Sequence, residues 1–174
     1  MRRMISWLAL VLIGLMGAGA SLAADSHVIT VFLVRHAEKN AHAPGGDAGL
    51  SAQGILRSQE LARVLADTPL SAIYTSTFAR ARLTGESVAR ARRDSVRVYD
   101  PNRLEDLAAR IRAENPGQTV LVVGHGDTLP GTFEALTGDA FPDKDVPYDK
   151  LYVVTLSPEG GYRLLTLHYG ARVQ

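Results

Sequence analysis

The chain has 174 residues, of which 46% are hydrophobic, with no cysteine and a formal net charge of +1. The lack of cysteine excludes a disulfide-stapled scaffold and thiol chemistry, and the near-neutral charge argues against binding to nucleic acid or to anionic membrane surfaces. The length suits one domain with a sizeable core.

Residues 1–23 predict an export signal that is not part of the fold. Two arginines precede an uncharged run from Met4 to Ala24, and the small residues Ser21 and Ala23 stand at the −3 and −1 positions of the predicted cleavage site. This order is typical of a secretory signal peptide. An uncleaved anchor is the alternative, since the run is about long enough to span a bilayer. We expect a periplasmic protein whose functional domain comprises residues 24–174.

After the signal, apolar runs of strand length alternate with segments of helical spacing. Continuous hydrophobicity in VITVFLV and TVLVV is typical of central strands that are buried on both faces. The predicted strands, in chain order, are 27–34, 71–76, 95–99, 118–126, 150–157 and 162–170. The predicted helices between them are 50–70, 78–93, 101–115 and 128–138.

The first predicted helix has an identifiable start and an expected buried face. Ser51 is a suitable N-cap, and Pro69 marks the end of the helical pattern. Apolar residues at helical spacing are expected to contact the core: Ile55, Leu56, Leu61, Val64 and Leu65.

Alternating strands and helices predict right-handed βαβ units around a mostly parallel sheet. The last two strands are separated only by PEGG, which predicts an antiparallel hairpin at the sheet edge. We therefore expect a single α/β domain with three layers, α/β/α.

Basic and imidazole side chains stand at the carboxyl ends of three predicted strands. Arg35 and His36 follow the first strand, His125 ends the fourth, and Arg80 lies in the first turn of the helix after the second. Ligands in open α/β sheets bind beyond the carboxyl ends of parallel strands. We expect these four side chains to converge on one pocket.

Such a cluster is suited to phosphoryl transfer. Two guanidiniums match the oxygens of a phosphoryl group, a neutral imidazole can attack phosphorus, and a second imidazole can stabilise the transition state. Gly124 and Gly126 flank His125 and allow close approach of a phosphate. We expect no metal or other cofactor. A metal site of His36, His42 and His125 is the rival, but these residues lack the spacing of helix-borne ligands.

Three segments, LVRHAEK, IYTSTFARARLTGE and VLVVGHGDTLP, resemble the signature segments of the histidine phosphatase superfamily, the phosphoglycerate-mutase-like proteins. The resemblance extends from Ile29 to the C-terminus, and its closing segments, KLYVVTL and YRLLTLHYG, are similar to those of small exported bacterial members. It implies that Arg35 and His36 form the Arg-His motif, with His36 as the phosphorylated nucleophile. It also implies that Arg80 is the second phosphate-clamping arginine and His125 the second catalytic histidine.

The proton donor for the leaving group is not identified by the resemblance. Mutase-like members take a glutamate from a longer segment than this chain has between its second arginine and second histidine. Glu38, Glu86, Glu105 and Asp127 are the candidates, or there is no such acid. Glu38 and Asp127 are also candidate substrate-binding residues, although Glu38 is expected to orient the nucleophile or to receive a helix N-terminus.

These features predict a metal-independent phosphatase that acts on a phosphomonoester or phosphohistidine, carried by a small molecule or a protein, through a phosphohistidine intermediate. The alternative is a non-catalytic module of the same fold that binds phosphoryl ligands. A phosphoglycerate mutase is disfavoured by the export signal and the short chain. We expect no nucleic-acid partner and no stable membrane insertion after signal cleavage, and the oligomeric state stays open.

Overall fold

The computed structural model describes residues 27–42 and 46–173, so the predicted signal peptide at 1–23 lies outside the described residues. Within this part of the chain there are six strands and four helices, and none of the helices is long and apolar enough to cross a membrane. In chain order they are β1 Ile29–Arg35, α1 Ala52–Val64, β2 Leu70–Ser76, α2 Ala79–Arg92, β3 Arg97–Tyr99, α3 Leu104–Glu114, β4 Thr119–Gly124, α4 Thr128–Thr137, β5 Lys150–Leu156 and β6 Tyr162–His168.

The strands form one sheet in the order β3-β2-β4-β1-β5-β6. The first four of these run parallel to one another, whereas β5 pairs antiparallel with both β1 and β6. This confirms the predicted α/β fold with a mostly parallel sheet and an antiparallel C-terminal edge hairpin.

The central strand β4 shows how the sheet separates two cores. Val120 and Val122 point into the core that includes Phe133 of α4 and residues of α3. Leu121 and Val123 point into the opposite core with residues of α1 and α2, such as Leu61. All four β4 side chains are fully buried, as the period-2 alternation of a strand covered on both faces requires.

Helix α1 begins as predicted, and the expected core residues Leu61 and Leu65 are buried, but the rest of the expected face is not. Ser51 caps it by accepting a hydrogen bond from the Gly54 amide, and the helix ends at Val64 instead of continuing to residue 70. Ile55, Leu56 and Val64 were expected in the core but are 48%, 65% and 40% exposed. The residues that α1 buries are Gly54, Arg57, Ser58 and Leu61.

The segment after β1 determines which side of α1 faces the core. A Cβ atom on Gly54 would overlap the Glu38 carbonyl oxygen, so only glycine lets α1 approach this closely. One turn later, Arg57 is 3% exposed and donates from Nε to the Glu38 carboxylate over 2.8 Å. A buried arginine must remain paired, and this pairing orients the helix against the local hydropathy pattern.

The pairing of β1 with β4 places the candidate site. Arg35 is in register with Gly124, the last residue of β4. The ladder continues one residue beyond β1, where the His36 amide donates to the Gly124 carbonyl over 2.9 Å. His36 and His125 therefore leave the sheet side by side, at the carboxyl edge where ligands of α/β proteins bind.

Candidate active site

The structure brings His36 and His125 together. Their ring centroids lie 5.0 Å apart in an edge-to-face arrangement with an interplanar angle of 62°. The two residues are only 4% and 5% exposed. The two imidazoles therefore form one wall of a largely desolvated site.

The hydrogen bonds of His36 determine which of its nitrogens carries the proton. Nδ1 lies 2.7 Å from the Ala37 carbonyl oxygen, which can only accept, so Nδ1 is the protonated nitrogen. Nε2 lies 3.1 Å from Nε of Arg80, which can only donate. Nε2 therefore carries a lone pair, as a nucleophilic imidazole nitrogen must.

Arg80 is held by the first turn of α2. The Thr84 hydroxyl donates to the Arg80 carbonyl and accepts from the Ala37 amide, which ties this turn to the segment carrying the nucleophile. Phe78 lies against the Arg80 guanidinium, with 4.5 Å between Cζ and the ring centroid. The start of the helix is capped by Asp47, whose carboxylate accepts from the Ala79 amide over 2.7 Å.

Arg35 extends from the end of β1 into the same site. Its Nη1 donates to the Val146 carbonyl over 2.9 Å, and its Cζ lies 4.1 Å from the centroid of the Tyr148 ring. Its Nε is buried and has no hydrogen-bond partner among the described residues. The guanidinium is thus fixed in place while retaining a donor that an anion could satisfy.

Burial and nearby positive charge keep both imidazoles neutral. Desolvation lowers the pKa of His36 from 6.5 to about 3; the Ala37 hydrogen bond opposes this shift, and His125, Arg80 and Arg35 add to it. Desolvation and the charges of Arg80 and Arg35 lower the pKa of His125 to about 4, against the opposing charge of Asp127. At neutral pH the site thus presents two uncharged imidazoles and two guanidiniums.

These side chains line a cavity of about 380 Å³. Tyr148 closes one side, and its rim carries charges of both signs, from Lys39, Lys144, Asp127 and Asp145. Two larger grooves, about 520 Å³ each, lie along α1 and contain none of the histidines or arginines of the site. The chemistry is therefore concentrated in the smaller cavity.

The candidate carboxylates are placed differently from one another. Asp127 lines the cavity, whereas Glu86 on α2 and Glu105 on α3 do not. Glu38 also lies outside the cavity lining, because its carboxylate pairs with Arg57. The Glu38 carbonyl accepts from the amide of Ser51, the N-cap of α1. In this structure Glu38 links the nucleophile segment to α1, and it is not among the residues that line the cavity.

The remaining histidines lie outside the cavity lining. His42 is exposed, and His168 pairs with Asp149 over 3.1 Å near the protein surface. Across residues 27–42 and 46–173, no three histidine or carboxylate side chains are grouped in a way that could hold a metal ion.

Several residues of the site were not predicted from the sequence. Lys39, Lys144 and Asp145 lie on loops and have no pattern that marks them. Ser76 is different: it ends β2 as Arg35 ends β1, and its hydroxyl contacts His125. Its position at a strand end was a signal that could have identified it.

Comparison with known proteins identifies the family and the fold of this chain. Residues 31–101 match the family model of the histidine phosphatase superfamily, branch 1. A candidate phosphohistidine phosphatase, SixA from Agrobacterium tumefaciens, is 30% identical with a TM-score of 0.62, and the match covers 82% of this chain and 98% of that one. No curated protein matches the sequence at significance.

Two further solved structures share the fold. The protein histidine phosphatase SixA complexed with tungstate is 19% identical with a TM-score of 0.66, covering 80% of this chain and 96% of that one. The mycobacterial glucosyl-3-phosphoglycerate phosphatase is 15% identical with a TM-score of 0.65, covering 79% and 97%.

The two buried neutral imidazoles should make stability depend on pH. Both native pKa values lie below 6.5, so the unfolded chain binds protons that the native site excludes. Stability is therefore lost as the pH falls below 6.5 towards the native values. Between pH 7 and about pH 4.5, we expect the variant His36→Asn/His125→Asn to lose less free energy of unfolding than the wild type, by on the order of 2 kcal/mol for each histidine removed.

Urea unfolding at the two pH values measures this difference. The control is His168→Asn, which removes a histidine whose side chain is 61% exposed and should behave like the wild type. An equal loss of stability in the double variant and the wild type would show that the two imidazoles are not buried in neutral form.

Proposed function

Because the chain belongs to the histidine phosphatase superfamily, we propose that it is a phosphatase that forms a covalent phosphohistidine at His36. The observation that carries this proposal is the state of Nε2 of His36: it is unprotonated and lies between a guanidinium and a second imidazole. The substrate class is a phosphomonoester or phosphohistidine, and the chemistry uses no metal.

In the first step, Arg35 and Arg80 hold the phosphoryl oxygens and His36 attacks. The Arg80 Nε–H, which donates to Nε2 of His36 in the free site, turns to a phosphoryl oxygen and frees the Nε2 lone pair. The Nε2 lone pair forms the bond to phosphorus as the bond from phosphorus to the leaving group breaks. The imidazole gains positive charge in this step, and the Nδ1–H···O=C bond to Ala37 stabilises it. His125 supports the equatorial oxygens, on which negative charge accumulates in the transition state.

In the second step, water attacks the phosphorus and the bond to Nε2 breaks. Phosphate leaves, the lone pair returns to Nε2, and the proton released by water passes to the group that protonated the leaving group. The Nδ1–H bond to the Ala37 carbonyl is kept throughout, and Nε2 again accepts from Arg80 once phosphate has left.

Asp127 is our proposed proton donor. It lines the cavity two residues after His125, and its side chain makes no capping bond to α4, so the carboxyl group is free to face a leaving group. Its negative charge raises the pKa of His125, against the larger lowering by desolvation and Arg80. Asp145 also lines the cavity but lies on the opposite loop, next to Val146, which binds Arg35.

We further propose that the protein acts after export to the periplasm, as the segment at 1–23 predicts. A cavity of about 380 Å³ accommodates a small phosphate compound or a phosphorylated side chain of a protein. The alternative, a binding module of the same fold, would use the same arginines and histidines but would form no covalent intermediate.

The first experiment is the removal of the nucleophile. We expect His36→Ala to abolish phosphate release from an aryl phosphate while its circular dichroism spectrum stays that of the wild type. Rapid acid-free quenching with a ³²P-labelled substrate should trap phosphohistidine in the wild type and none in His36→Ala. His168→Ala, which changes an exposed histidine outside the cavity, is the matched control and should retain both signals.

Two outcomes would contradict the proposed function. Wild-type turnover in His36→Ala would exclude this nucleophile. Tight phosphate binding without phosphohistidine or turnover in the wild type would favour the binding module.

The second experiment tests Asp127 as the proton donor. Asp127→Asn should lower kcat for an alkyl phosphate by about 100-fold, because an alkoxide leaves poorly without a proton. The loss for p-nitrophenyl phosphate should be much smaller, because nitrophenolate leaves without assistance. Asp145→Asn is the matched control, and an equal loss for both substrates in Asp127→Asn would refute the assignment.

A further inference from the structure

Ser76 lies beneath the site and contacts only one of its groups. It is the last residue of β2, is 0% exposed, and has its Oγ 2.6 Å from Nε2 of His125. Ser76 and His125 meet because of the strand register. Thr75 of β2 pairs with Val123 of β4, so the residues that follow on both strands continue together towards the cavity. No sequence motif or relative described above assigns a role to this serine.

The length of this hydrogen bond favours one arrangement of protons. In the described part of the chain, His125 is the one partner of the Ser76 hydroxyl, and Nδ1 of His125 has no partner. Either direction of the bond leaves one donor and one acceptor of the pair unsatisfied, so the number of bonds does not distinguish the two arrangements. The separation of 2.6 Å does, because O–H donors bond over about 2.5–3.0 Å whereas N–H donors rarely come closer than about 2.7 Å. The serine hydroxyl is therefore the donor and Nε2 accepts through its lone pair.

We propose that Ser76 is a positioning residue that donates its hydroxyl proton to Nε2 of His125 and thereby fixes the proton of this imidazole on Nδ1. Nδ1–H is then the donor that His125 offers to a phosphoryl oxygen. This last role rests on the proposed function, whereas the tautomer itself does not.

The proposal gives the two histidines one tautomer and two different functions. His36 is also protonated on Nδ1, where the Ala37 carbonyl binds the hydrogen, and its Nε2 lone pair faces the cavity, where it accepts from Arg80 in the free site and attacks in the proposed mechanism. In His125 the Nε2 lone pair is bound by Ser76, which leaves an N–H for the anion. Both imidazoles are neutral, so the nitrogen that the protein binds decides what each ring can do. A ring bound through Nδ1–H can attack through Nε2, and a ring bound at Nε2 can donate from Nδ1–H.

Loss of the serine hydroxyl removes this control. In Ser76→Ala nothing holds the Nε2 lone pair, and His125 can adopt the Nε2–H form that free histidine prefers in water. Nδ1 would then present a lone pair to the phosphoryl oxygen, which is repulsive. Because the donor matters most when negative charge develops in the transition state, we expect kcat to fall by about 10-fold or more, with a smaller change in KM.

The direct test is NMR of the full protein labelled with ¹⁵N-histidine, by long-range ¹H–¹⁵N correlation at about pH 7. Signals of His125 are identified by their loss in His125→Asn. We expect a protonated, pyrrole-type Nδ1 and an unprotonated, pyridine-type Nε2 in the wild type. Addition of inorganic phosphate should shift the Nδ1 resonance, and Ser76→Ala should move the population towards Nε2–H.

Ser58→Ala is the matched control, because Ser58 is also a buried serine but its hydroxyl donates to the Ile55 carbonyl within α1. It should leave both the His125 tautomer and kcat unchanged. Ser76→Thr keeps the hydroxyl and should retain the Nδ1–H form. An Nε2–H form of His125 in the wild type would overturn the proposal, and this spectrum decides even if Ser76→Ala does not fold.

An unchanged tautomer in folded Ser76→Ala would also overturn it. The readout separates this proposal from the proposed function, because the spectra need no turnover. If the wild type forms no phosphohistidine but shows Nδ1–H, the phosphatase proposal fails and the role of Ser76 in an anion site is supported.

Discussion

The parallel pairing of β1 with β4 is the constraint on which the rest of the site depends. Because Arg35 is in register with Gly124, the next residue on each strand is a histidine, and the two rings meet at a centroid distance of 5.0 Å. Strand β2, on the other side of β4, adds Ser76 behind His125 and leads into α2 with Arg80. A slip of one residue between β1 and β4 would turn the side chains of β1 to the opposite core and separate the pair.

The site is organised for an anion before any anion binds. Both imidazoles are neutral through burial and nearby positive charge. The Arg35 guanidinium is held by Tyr148 and the Val146 carbonyl, and the Arg80 guanidinium by Phe78 and His36. Nε of Arg35 and Nδ1 of His125 are buried without partners among the described residues. Such groups are costly in a folded protein, and a bound phosphoryl group would satisfy them. Because filling both donors requires a ligand with several acceptor oxygens, the site would favour such an anion over a ligand with one.

The sequence was sufficient for much of the fold, because the buried strands β1 and β4 are continuous apolar runs and each is followed by a histidine. The same topology rule led to the expectation that Arg35, His36, Arg80 and His125 converge, and the structure places all four on one cavity. The prediction succeeds because backbone pairing brings the carboxyl ends of parallel strands to one edge of the sheet, whatever the side chains are.

The failures have a common physical origin in buried polar contacts between distant segments. Hydropathy favoured Ile55 and Leu56 as the inner face of α1, but the pairing of Arg57 with Glu38 rotates that face outward. The end of β2 marks the position of Ser76, but its partner lies 49 residues away and no local pattern identifies that partner. The most direct test of the account is a crystal structure with orthovanadate. We predict vanadium bonded to Nε2 of His36, with its oxygens on the guanidiniums of Arg35 and Arg80 and on His125; vanadate bound elsewhere, or in the cavity with His36 turned away, would contradict it.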